Sequence, residues 1–435
     1  MSISKYFIAK VWIFILFIGL LSGCKKDPEE VDLELSFMEN LQALSGITIE
    51  SIEAKDGYKM AFRIFITQPV DHNNPLGPTF DQEIILKHRH VDLPVVYDTR
   101  GYGLNEEGVN QLSPLFPANY VGVEHRYFTD SKPEPLDWEF LTIKQTATDH
   151  HRIVDLFDDI YQGKWVNTGS SKGGMTALFH KRFYPDDIDA TVAFVAPLIT
   201  GLPDNRFKTF LTSEVGNSTC RLAIEAFQKM VLNRRISMLQ LFKEHEMKQN
   251  FSYSIGYDKV LELCTMEYQF SFWQYGWADC NQIPSQNSSH EEVFQHLIQV
   301  SPAWYYDDFA VDYFQPLFYQ AYTELGYYYL VDDHLKGLIN ALNAPNHRVL
   351  APNTIMTYNP NVMKDVIDWL VSNGNNIIYI YGGDDPFTAA AIPDPTSTNS
   401  IKIIQPGTNH SVTIDELDDK EMVFSSLEKW LDIDI

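Results

Sequence analysis

A serine flanked by small residues is the first feature of this sequence that could do chemistry. Residues 169–173 read Gly-Ser-Ser-Lys-Gly, which matches the pattern G-x-S-x-G. A strand-like run at 164–168 precedes the pattern, and a helical run at 175–183 follows it. In such a strand–turn–helix the central serine sits on a strained turn, and the glycines let strand and helix approach each other. We therefore predict that Ser171 is a nucleophile; the alternative is an ordinary glycine-rich turn that merely exposes a serine.

A serine hydroxyl needs a base that takes its proton and an acid that orients the base. In enzymes built on this turn, the chain order is serine, acid, histidine. His410 is the only histidine after residue 347, and it lies in a turn-rich loop behind the apolar run 401–404. The acid is expected after the preceding strand, where Asp384 and Asp385 are adjacent. From the spacing alone, either aspartate could serve.

The oxyanion of an acyl-transfer reaction needs two backbone N–H groups. Lys172, directly after the nucleophile, is expected to supply one of them. The other should come from a loop behind an early strand, and Asp-Thr-Arg-Gly-Tyr-Gly follows the apolar run 95–97. Gly101 or Tyr102 is therefore the candidate for the second donor, with an ordinary turn as the alternative.

The elements that would position these residues follow an alternating pattern. Short apolar runs bounded by turn residues indicate buried strands, and apolar residues at helical spacing indicate amphipathic helices. Strands are predicted at 84–86, 95–97, 120–123, 164–168 and 191–195, and helices at 146–161 and 175–183. Alternation of this kind predicts parallel crossover connections and a doubly wound, mostly parallel α/β sheet.

A helical segment interrupts this alternation. Residues 198–352 are dominated by long helical patterns, such as 220–242 and 290–300. Strand patterns return at 377–380 and 401–404, and a last helix is predicted at 415–431. We therefore expect a core of residues 35–197 and 353–435, with residues 198–352 as a helical cap. Such a cap would cover the carboxyl ends of the strands, where α/β sheets bind ligands.

The N-terminus has the pattern of a lipoprotein signal peptide, residues 1–23. Two lysines precede an apolar run at 11–21, which is too short to span a bilayer comfortably. The run ends in Leu-Ser-Gly-Cys, which resembles a bacterial lipobox with Cys24 as the lipidated residue; an uncleaved helical anchor is the alternative. Residues 24–34 are expected to be a solvated tether. The prediction is a protein anchored by a lipid in the bacterial cell envelope, on a membrane face that the sequence leaves open.

Composition excludes several classes of partner. The formal net charge is −25, and loss of the two lysines with the signal peptide would make it −27. Such a charge argues against nucleic acid and anionic membrane surfaces as partners. Besides Cys24 there are three cysteines, Cys220, Cys264 and Cys280, so an exported chain could oxidise one pair and keep one thiol, with the pairing open. The histidine pairs at 88 and 90 and at 150 and 151 lack the spacing of a zinc helix, so no metal site is predicted.

Six segments of the sequence together carry a family resemblance. They are Gln-Pro-Val-Asp-His at 68–72, Glu-His-Arg-Tyr-Phe at 124–128, Thr-Gly-Ser-Ser-Lys-Gly-Gly-Met-Thr-Ala at 168–177, Glu-Leu-Gly-Tyr at 324–327, Gly-Asp-Asp-Pro at 383–386 and Pro-Gly-Thr-Asn-His at 406–410. These segments resemble the secreted bacterial prolyl tripeptidyl aminopeptidases, serine peptidases with the α/β-hydrolase fold. More distantly they are similar to lysosomal Pro-Xaa carboxypeptidase and the related dipeptidyl peptidase. The resemblance covers residues 35–430, and the nucleophile segment is its most specific part.

The resemblance implies release of N-terminal tripeptides, with proline favoured at the cleaved residue. It also favours Asp385 as the acid, because the family places proline and an aromatic residue after it; Phe387 stands here where the family leads us to expect tryptophan. A peptidase of this kind needs a carboxylate for the substrate ammonium, for which Glu324 and Glu124 are candidates, although each could instead be structural. Aromatic residues for a proline pocket are Trp304, Tyr305, Tyr306 and Phe387, or these belong to the core of the cap.

Two other functions stay open at this point. A carboxylesterase or lipase could use the same three residues, and a lipoprotein that binds peptides without catalysis could retain the scaffold. The triad chemistry requires neither a metal nor an organic cofactor. The sequence does not indicate an oligomeric state.

Overall fold

In the computed structural model of this protein, which describes residues 28–108, 110–344 and 346–435, nine strands form one sheet. Their order across the sheet is β1-β2-β3-β5-β4-β6-β7-β8-β9. The first three strands and the β3–β5 pair are antiparallel, and all pairs from β5 to β9 are parallel. The strands are Ile47–Ile52 (β1), Met60–Pro69 (β2), Thr79–His88 (β3), Val95–Thr99 (β4), Asn119–Val123 (β5), Trp165–Ser170 (β6), Ala190–Phe194 (β7), Ile377–Gly382 (β8) and Ile401–Gln405 (β9).

The described residues also form eleven α-helices, with short 3-10 and π segments between them. The helices are Pro28–Ala43 (α1), Ile143–Asp158 (α2), Lys172–Phe183 (α3), Arg206–Thr209 (α4), Ser218–Asn233 (α5), Arg235–Gln249 (α6), Tyr257–Tyr275 (α7), His290–Val300 (α8), Asp308–Gln320 (α9), Pro360–Asn373 (α10) and Lys420–Leu431 (α11). The chain divides into two units, and helix α1 is the described part of the first. The second unit, Leu44–Ile435, contains the sheet and the other helices.

Helices cover the parallel part of the sheet on both faces. Strands β4 to β8 are buried along almost their whole length, which is typical of strands covered on two sides. Side chains alternate between the faces, so Ile378 and Ile380 of β8 pack in one cluster with helix α11. Tyr379 lies in a second cluster with helices α3 and α10. The prediction of a doubly wound, mostly parallel α/β sheet is confirmed.

The antiparallel edge of the sheet contains two strands that the sequence patterns did not reveal. β2 pairs with β3 over its whole length and with β1 over residues 61–66, and only β3 was predicted, as the short run 84–86. In β2 the buried positions alternate with partly exposed ones, for example Ile64 and Ile66 with Arg63 and Phe65. Because Phe65 is as apolar as its buried neighbours, the alternation is weak in the sequence.

The segment between β7 and β8 is helical among its described residues and has its own large apolar core. Helices α5, α7 and α8 together supply 18 of the 39 buried residues of that core, more than the other helices do. The long helical pattern at 220–242 covers two helices, because helix α5 ends at Asn233 and helix α6 starts at Arg235. Arg234 between them is not helical, with φ −98° and ψ 22°, and its guanidinium donates to the carbonyls of Gln286 and Ser288. These tertiary bonds hold the break between the two helices.

Most of the N-terminal predictions lie outside the described residues, including the signal peptide 1–23, Cys24 and residues 25–27. Residues 28–34, which we expected to belong to a solvated tether, are the first turns of helix α1. Pro28 is compatible with this start, because the N–H groups in the first turn of a helix have no carbonyl acceptor within that helix. In the part of the chain that the structure describes, no helix is both long and apolar enough to cross a membrane.

Candidate active site

Ser171 occupies the sharp turn between β6 and α3. Its backbone has φ 56° and ψ −123°, in the region that residues with a side chain rarely adopt. The turn is held on both sides: the N–H of Ser171 donates to the carbonyl of Phe194 at 2.8 Å, and its carbonyl accepts from Met175 at 3.0 Å. Non-glycine residues in such conformations are concentrated at functional sites, because the surrounding structure must hold them.

The glycines around Ser171 are required by close backbone contacts. A Cβ atom at Gly169 would lie 2.4 Å from the carbonyl carbon of Gly173, and one at Gly173 would lie 2.6 Å from the carbonyl oxygen of Thr99. The Thr99 hydroxyl donates to the carbonyls of both Thr168 and Gly173. The end of β4, the end of β6 and the start of α3 therefore meet at distances that only glycine permits.

His410 and Asp385 form a hydrogen-bonded pair at the ends of β9 and β8. Nδ1 of His410 lies 2.7 Å from Oδ2 of Asp385, and the Asp385 side chain is fully buried. The second oxygen of Asp385 accepts from the N–H of Phe387 at 3.1 Å. A carboxylate at Nδ1 keeps the proton on that nitrogen and leaves Nε2 free to act as a base.

The adjacent aspartate, Asp384, takes a different position. Its backbone N–H donates to the carbonyl of Thr408 at 2.8 Å. Burial raises the pKa of its carboxyl group. Of the two aspartates that the sequence left open, the structure brings Asp385 to His410.

Ser171 and His410 line one cavity of about 430 Å³, which lies between the sheet and the helical segment. The wall is mostly aromatic and apolar. It includes all four aromatic residues that the family resemblance suggested, together with neighbouring tyrosines: Tyr275, Trp304, Tyr305, Tyr306, Tyr313, Tyr327, Tyr328 and Phe387. The Phe387 ring lies 5.1 Å from the His410 ring between centroids, so it borders the histidine directly.

The predicted oxyanion loop lies against the start of helix α3. A Cβ atom at Gly101 would be 2.6 Å from the Cβ of Lys172 and 2.7 Å from the N atom of Gly173. Tyr102 and Lys172 both line the cavity beside Ser171. The N–H of Lys172 is the first of its helix, so no carbonyl within that helix can accept from it. The structure thus brings together all three residues proposed for this role.

The side chain of Lys172 is itself buried. Its Nζ atom lies 5.7 Å from the centre of the Tyr102 ring and 5.4 Å from that of Phe128. Burial lowers the pKa of this lysine well below its usual value. The cavity floor next to Ser171 is therefore a poorly hydrated environment, in which backbone dipoles act strongly on a developing charge.

The two carboxylates proposed to bind the substrate ammonium lie elsewhere. Neither Glu124 nor Glu324 is among the described residues that line the cavity. Glu124 is fully buried and accepts bonds from the hydroxyl of Thr129, the hydroxyl and N–H of Ser131, and the N–H groups of Leu104 and Asp130. Five donors leave its oxygens no free direction for a ligand, so its contacts are structural.

Glu324 lies in the π-helical segment Ala321–Leu325 and accepts from the N–H of Ile143 at 2.7 Å, at the first turn of α2. Burial raises the pKa of Glu324 to about 7, and the hydrogen bond from Ile143 opposes the shift. The bond links the helical segment to a core helix.

Glu267 lines the cavity, and the sequence patterns did not indicate it. It belongs to helix α7, and it is the only acidic residue among the described residues that line the cavity. A glutamate inside an aromatic helix is a weak signal, since the same helix also contains the fully buried Glu262. Among the described residues, no group of three or more His, Cys, Asp or Glu side chains is placed to hold a metal ion.

Three features define this protein as an α/β-hydrolase. They are a mostly parallel sheet covered by helices on both faces, a serine on a strained strand–helix turn, and a His–Asp pair from later loops. The chain belongs to the PS-10 peptidase S37 family, whose model matches residues 27–432, and it is a serine peptidase.

Its relatives include the prolyl tri/tetrapeptidyl aminopeptidase of Streptomyces mobaraensis. The two are 30% identical over 403 residues, which cover 90% of this chain and 84% of that protein. Among solved structures, a proline iminopeptidase of Mycobacterium smegmatis matches with a TM-score of 0.35 and 14% identity, over 85% of this chain and 97% of its own. An acetyl xylan esterase of Paenibacillus sp. R4 matches with a TM-score of 0.40 and 10% identity, over 92% and 95%. Nothing about function follows from similarities of that size.

Proposed function

We propose that this serine peptidase is an exopeptidase that releases N-terminal tripeptides, with proline favoured at the cleaved residue. One observation carries the proposal more than any other. The buried Asp385 holds His410 at 2.7 Å, and that histidine opens on the same cavity as Ser171. The relative from Streptomyces, described as a prolyl tri/tetrapeptidyl aminopeptidase, supports the choice of substrate.

In the proposed reaction, Ser171 Oγ attacks the scissile carbonyl carbon while Nε2 of His410 takes the hydroxyl proton. The tetrahedral intermediate places its negative oxygen at the N–H of Lys172 and at that of Gly101 or Tyr102. The C–N bond then breaks, and the His410 proton passes to the leaving amine. Water then attacks the acyl carbonyl while His410 takes its proton; the bond between the acyl carbon and Ser171 Oγ breaks, and His410 returns the proton to Oγ as the acid product leaves. Asp385 accepts the hydrogen bond from Nδ1 of His410 and stabilises the imidazolium.

The cavity wall supports an apolar side chain at the cleaved residue. A proline ring has no side-chain donor or acceptor, so aromatic walls can bind it without leaving a polar group unsatisfied. Phe387 borders His410 and packs edge-on against Phe270 and Tyr328. This places a rigid apolar surface beside the histidine.

The test is incubation of the purified full-length protein with a peptide library, followed by mass spectrometry of the N-terminal fragments. We expect three-residue fragments that end in proline, and none from the Ser171→Ala variant. A fluorophosphonate probe should label the wild type at Ser171. Fragments of mixed length would contradict the exopeptidase proposal. Hydrolysis of p-nitrophenyl esters without cleavage of prolyl peptide anilides would indicate an esterase instead.

We further propose that Cys24 carries a lipid that anchors the protein in the bacterial cell envelope. The support is the N-terminal pattern: lysines, a short apolar run, and small residues before the cysteine. Metabolic labelling with an alkyne fatty acid should mark the wild type and leave Cys24→Ala unlabelled. Equal labelling of both proteins would contradict the proposal.

A further inference from the structure

Glu267 faces the cavity with one of its two oxygens unsatisfied. Oε1 accepts from the hydroxyl of Tyr328 at 2.8 Å. Oε2 is buried and accepts no hydrogen bond from the described residues, although Nε2 of His347 lies 3.3 Å from it. A buried carboxylate oxygen without a donor is costly unless a ligand supplies one. Its place in the cavity wall makes the substrate the natural source.

Glu262, one and a half turns away on the same helix, shows what a structural carboxylate looks like in this protein. It accepts from the guanidinium of Arg235 at 2.6 Å and from three successive backbone N–H groups, at residues 340–342. Its charge is therefore fully compensated within the chain. In the part of the chain that the structure describes, no lysine or arginine pairs with Glu267.

Tyrosines surround Glu267 on the cavity side. Tyr305, Tyr327 and Tyr328 line the same cavity, and the rings of Tyr327 and Tyr328 stack with centroids 4.3 Å apart. Burial is the main cause that raises the pKa of these tyrosines, and the negative charge of Glu267 adds to it. Aromatic faces around a carboxylate form a favourable site for a primary ammonium group, through cation–π attraction and an ion pair.

Helix α7 connects this carboxylate to the catalytic end of the cavity. Glu267, Ser271, Gln274 and Tyr275 all line the cavity, at the spacing of one helical face. The carbonyl of Gln274 accepts the backbone N–H of His410 at 3.0 Å, so the last turn of the helix is bonded to the histidine loop. Seven residues at 1.5 Å each place Glu267 about 10 Å along the helix axis from that bond.

This axial separation between Glu267 and the Gln274–His410 bond is close to the length of three extended residues. Three extended residues span at most about 10 to 11 Å, two span about 7 Å, and four about 14 Å. We propose that Glu267 binds the α-ammonium of the substrate, and that the face of α7 from Glu267 to Gln274 sets the released peptide at three residues. The proposal rests on the function proposed above. It identifies the residue that binds the substrate ammonium and the helix face that sets the length of the released peptide.

The experiment compares Glu267→Gln with wild type on a free Ala-Ala-Pro anilide and on its N-acetyl derivative. Loss of a buried charge partner should reduce kcat/KM for the free-amine substrate by about 100-fold, mainly through KM. The acetylated substrate has no ammonium, so its slow turnover should change less than about threefold. Glu324→Gln makes the same chemical change outside the cavity wall and should leave the preference for the free amine intact. Equal losses on both substrates, or no loss on either, would overturn the assignment.

Two further measurements separate this inference from the proposed function. In the Ser171→Ala background, calorimetry should show that free Ala-Ala-Pro amide binds more tightly than its acetylated form, and that Glu267→Gln removes the difference. Such binding without release of tripeptides by wild type would refute the proposed exopeptidase activity and leave the anchor in place. Identical binding of both peptides would refute the anchor. For length, tripeptidyl anilides should exceed di- and tetrapeptidyl anilides by about tenfold or more, and equal rates would refute the role of α7.

Discussion

The pH dependence of stability offers a direct test of how the helical segment is joined to the core. Glu324 accepts from the N–H of Ile143, and burial raises the pKa of its carboxyl group to about 7 in the folded protein, against a reference value of 4.5. The folded state therefore binds the proton more tightly than the unfolded chain. Between about pH 4.5 and 7 this group lowers the free energy of unfolding as the pH rises, because the unfolded state ionises first.

The magnitude follows from the two pKa values. When the pH rises from 5 to 8, ionisation of the Glu324 carboxyl group should lower the free energy of unfolding of the wild type by about 2.5 kcal/mol. Glu324→Gln stays neutral at both pH values and can still accept from Ile143 through its amide oxygen. For a folded unit of about 400 residues, 2.5 kcal/mol corresponds to about 3 °C in Tm. The variant should therefore gain about 3 °C relative to wild type when the pH changes from 5 to 8.

The assay is differential scanning calorimetry of both proteins at each pH, with the exposed Glu421→Gln as a control for an equal change in charge. The prediction concerns the difference between variant and wild type, so the general pH response of the chain cancels. If the difference in Tm between Glu324→Gln and wild type is the same at pH 5 and pH 8, the carboxyl group does not have a raised pKa in the folded state. The account of the Glu324–Ile143 contact would then be wrong.

Two other predictions concern the histidine pair and the disulfide. Asp385→Asn should lower kcat for a prolyl peptide anilide by about 10³- to 10⁴-fold, because the amide no longer fixes the His410 tautomer. Asp384→Asn should lower kcat less than tenfold. Similar losses in both variants would argue against Asp385 as the acid. Cys220 and Cys280 form a disulfide that closes 60 residues, so reduction should cost about 4 kcal/mol and lower Tm by about 5 °C, measured by calorimetry with and without reductant. A Cys220→Ser variant should show no response to reductant, and an unchanged Tm in fully reduced wild type would contradict the expected contribution.

The parallel core could be predicted because its strands are buried on both faces. Strands β4 to β7 contain nearly continuous β-branched, aromatic or small residues, and each lies within two residues of its predicted position. Strand β1 and strand β2 have one face that is partly exposed, so their pattern is diluted by polar residues such as Glu50 and Arg63. Prediction from apolar runs therefore failed on that side of the sheet.

Tertiary contacts explain the other failures. No local pattern separates helix α5 from α6, because the break depends on bonds from Arg234 to a loop about 50 residues later. The disulfide pairing was open for the same reason, and the structure leaves Cys264 as the buried free thiol. Contacts between distant parts of the chain determine the helix break and the disulfide pairing, and the periodicity of the sequence does not indicate them.

The ammonium anchor shows this limit most clearly. Glu262 and Glu267 are five residues apart on one helix, in similar apolar surroundings, and a sequence pattern treats them alike. They differ in what the rest of the fold brings to each carboxylate. Glu262 receives a guanidinium and three N–H groups. Glu267 receives one hydrogen bond, from the Tyr328 hydroxyl, and its other oxygen has only the His347 imidazole at 3.3 Å, without a hydrogen bond. An incompletely satisfied buried charge is tolerated where a ligand completes it.

The same helix that carries this unsatisfied carboxylate is bonded to the loop of His410 through Gln274. Gly276, which ends the helix with φ 62°, lies close to Asn409, so that a Cβ there would be 2.8 Å from the Asn409 side-chain nitrogen. These two contacts join the helix that carries the proposed anchor directly to the loop that carries the proposed base. A peptide whose ammonium reaches Glu267 thus presents a defined carbonyl to Ser171, and the length of the product becomes a property of helix geometry.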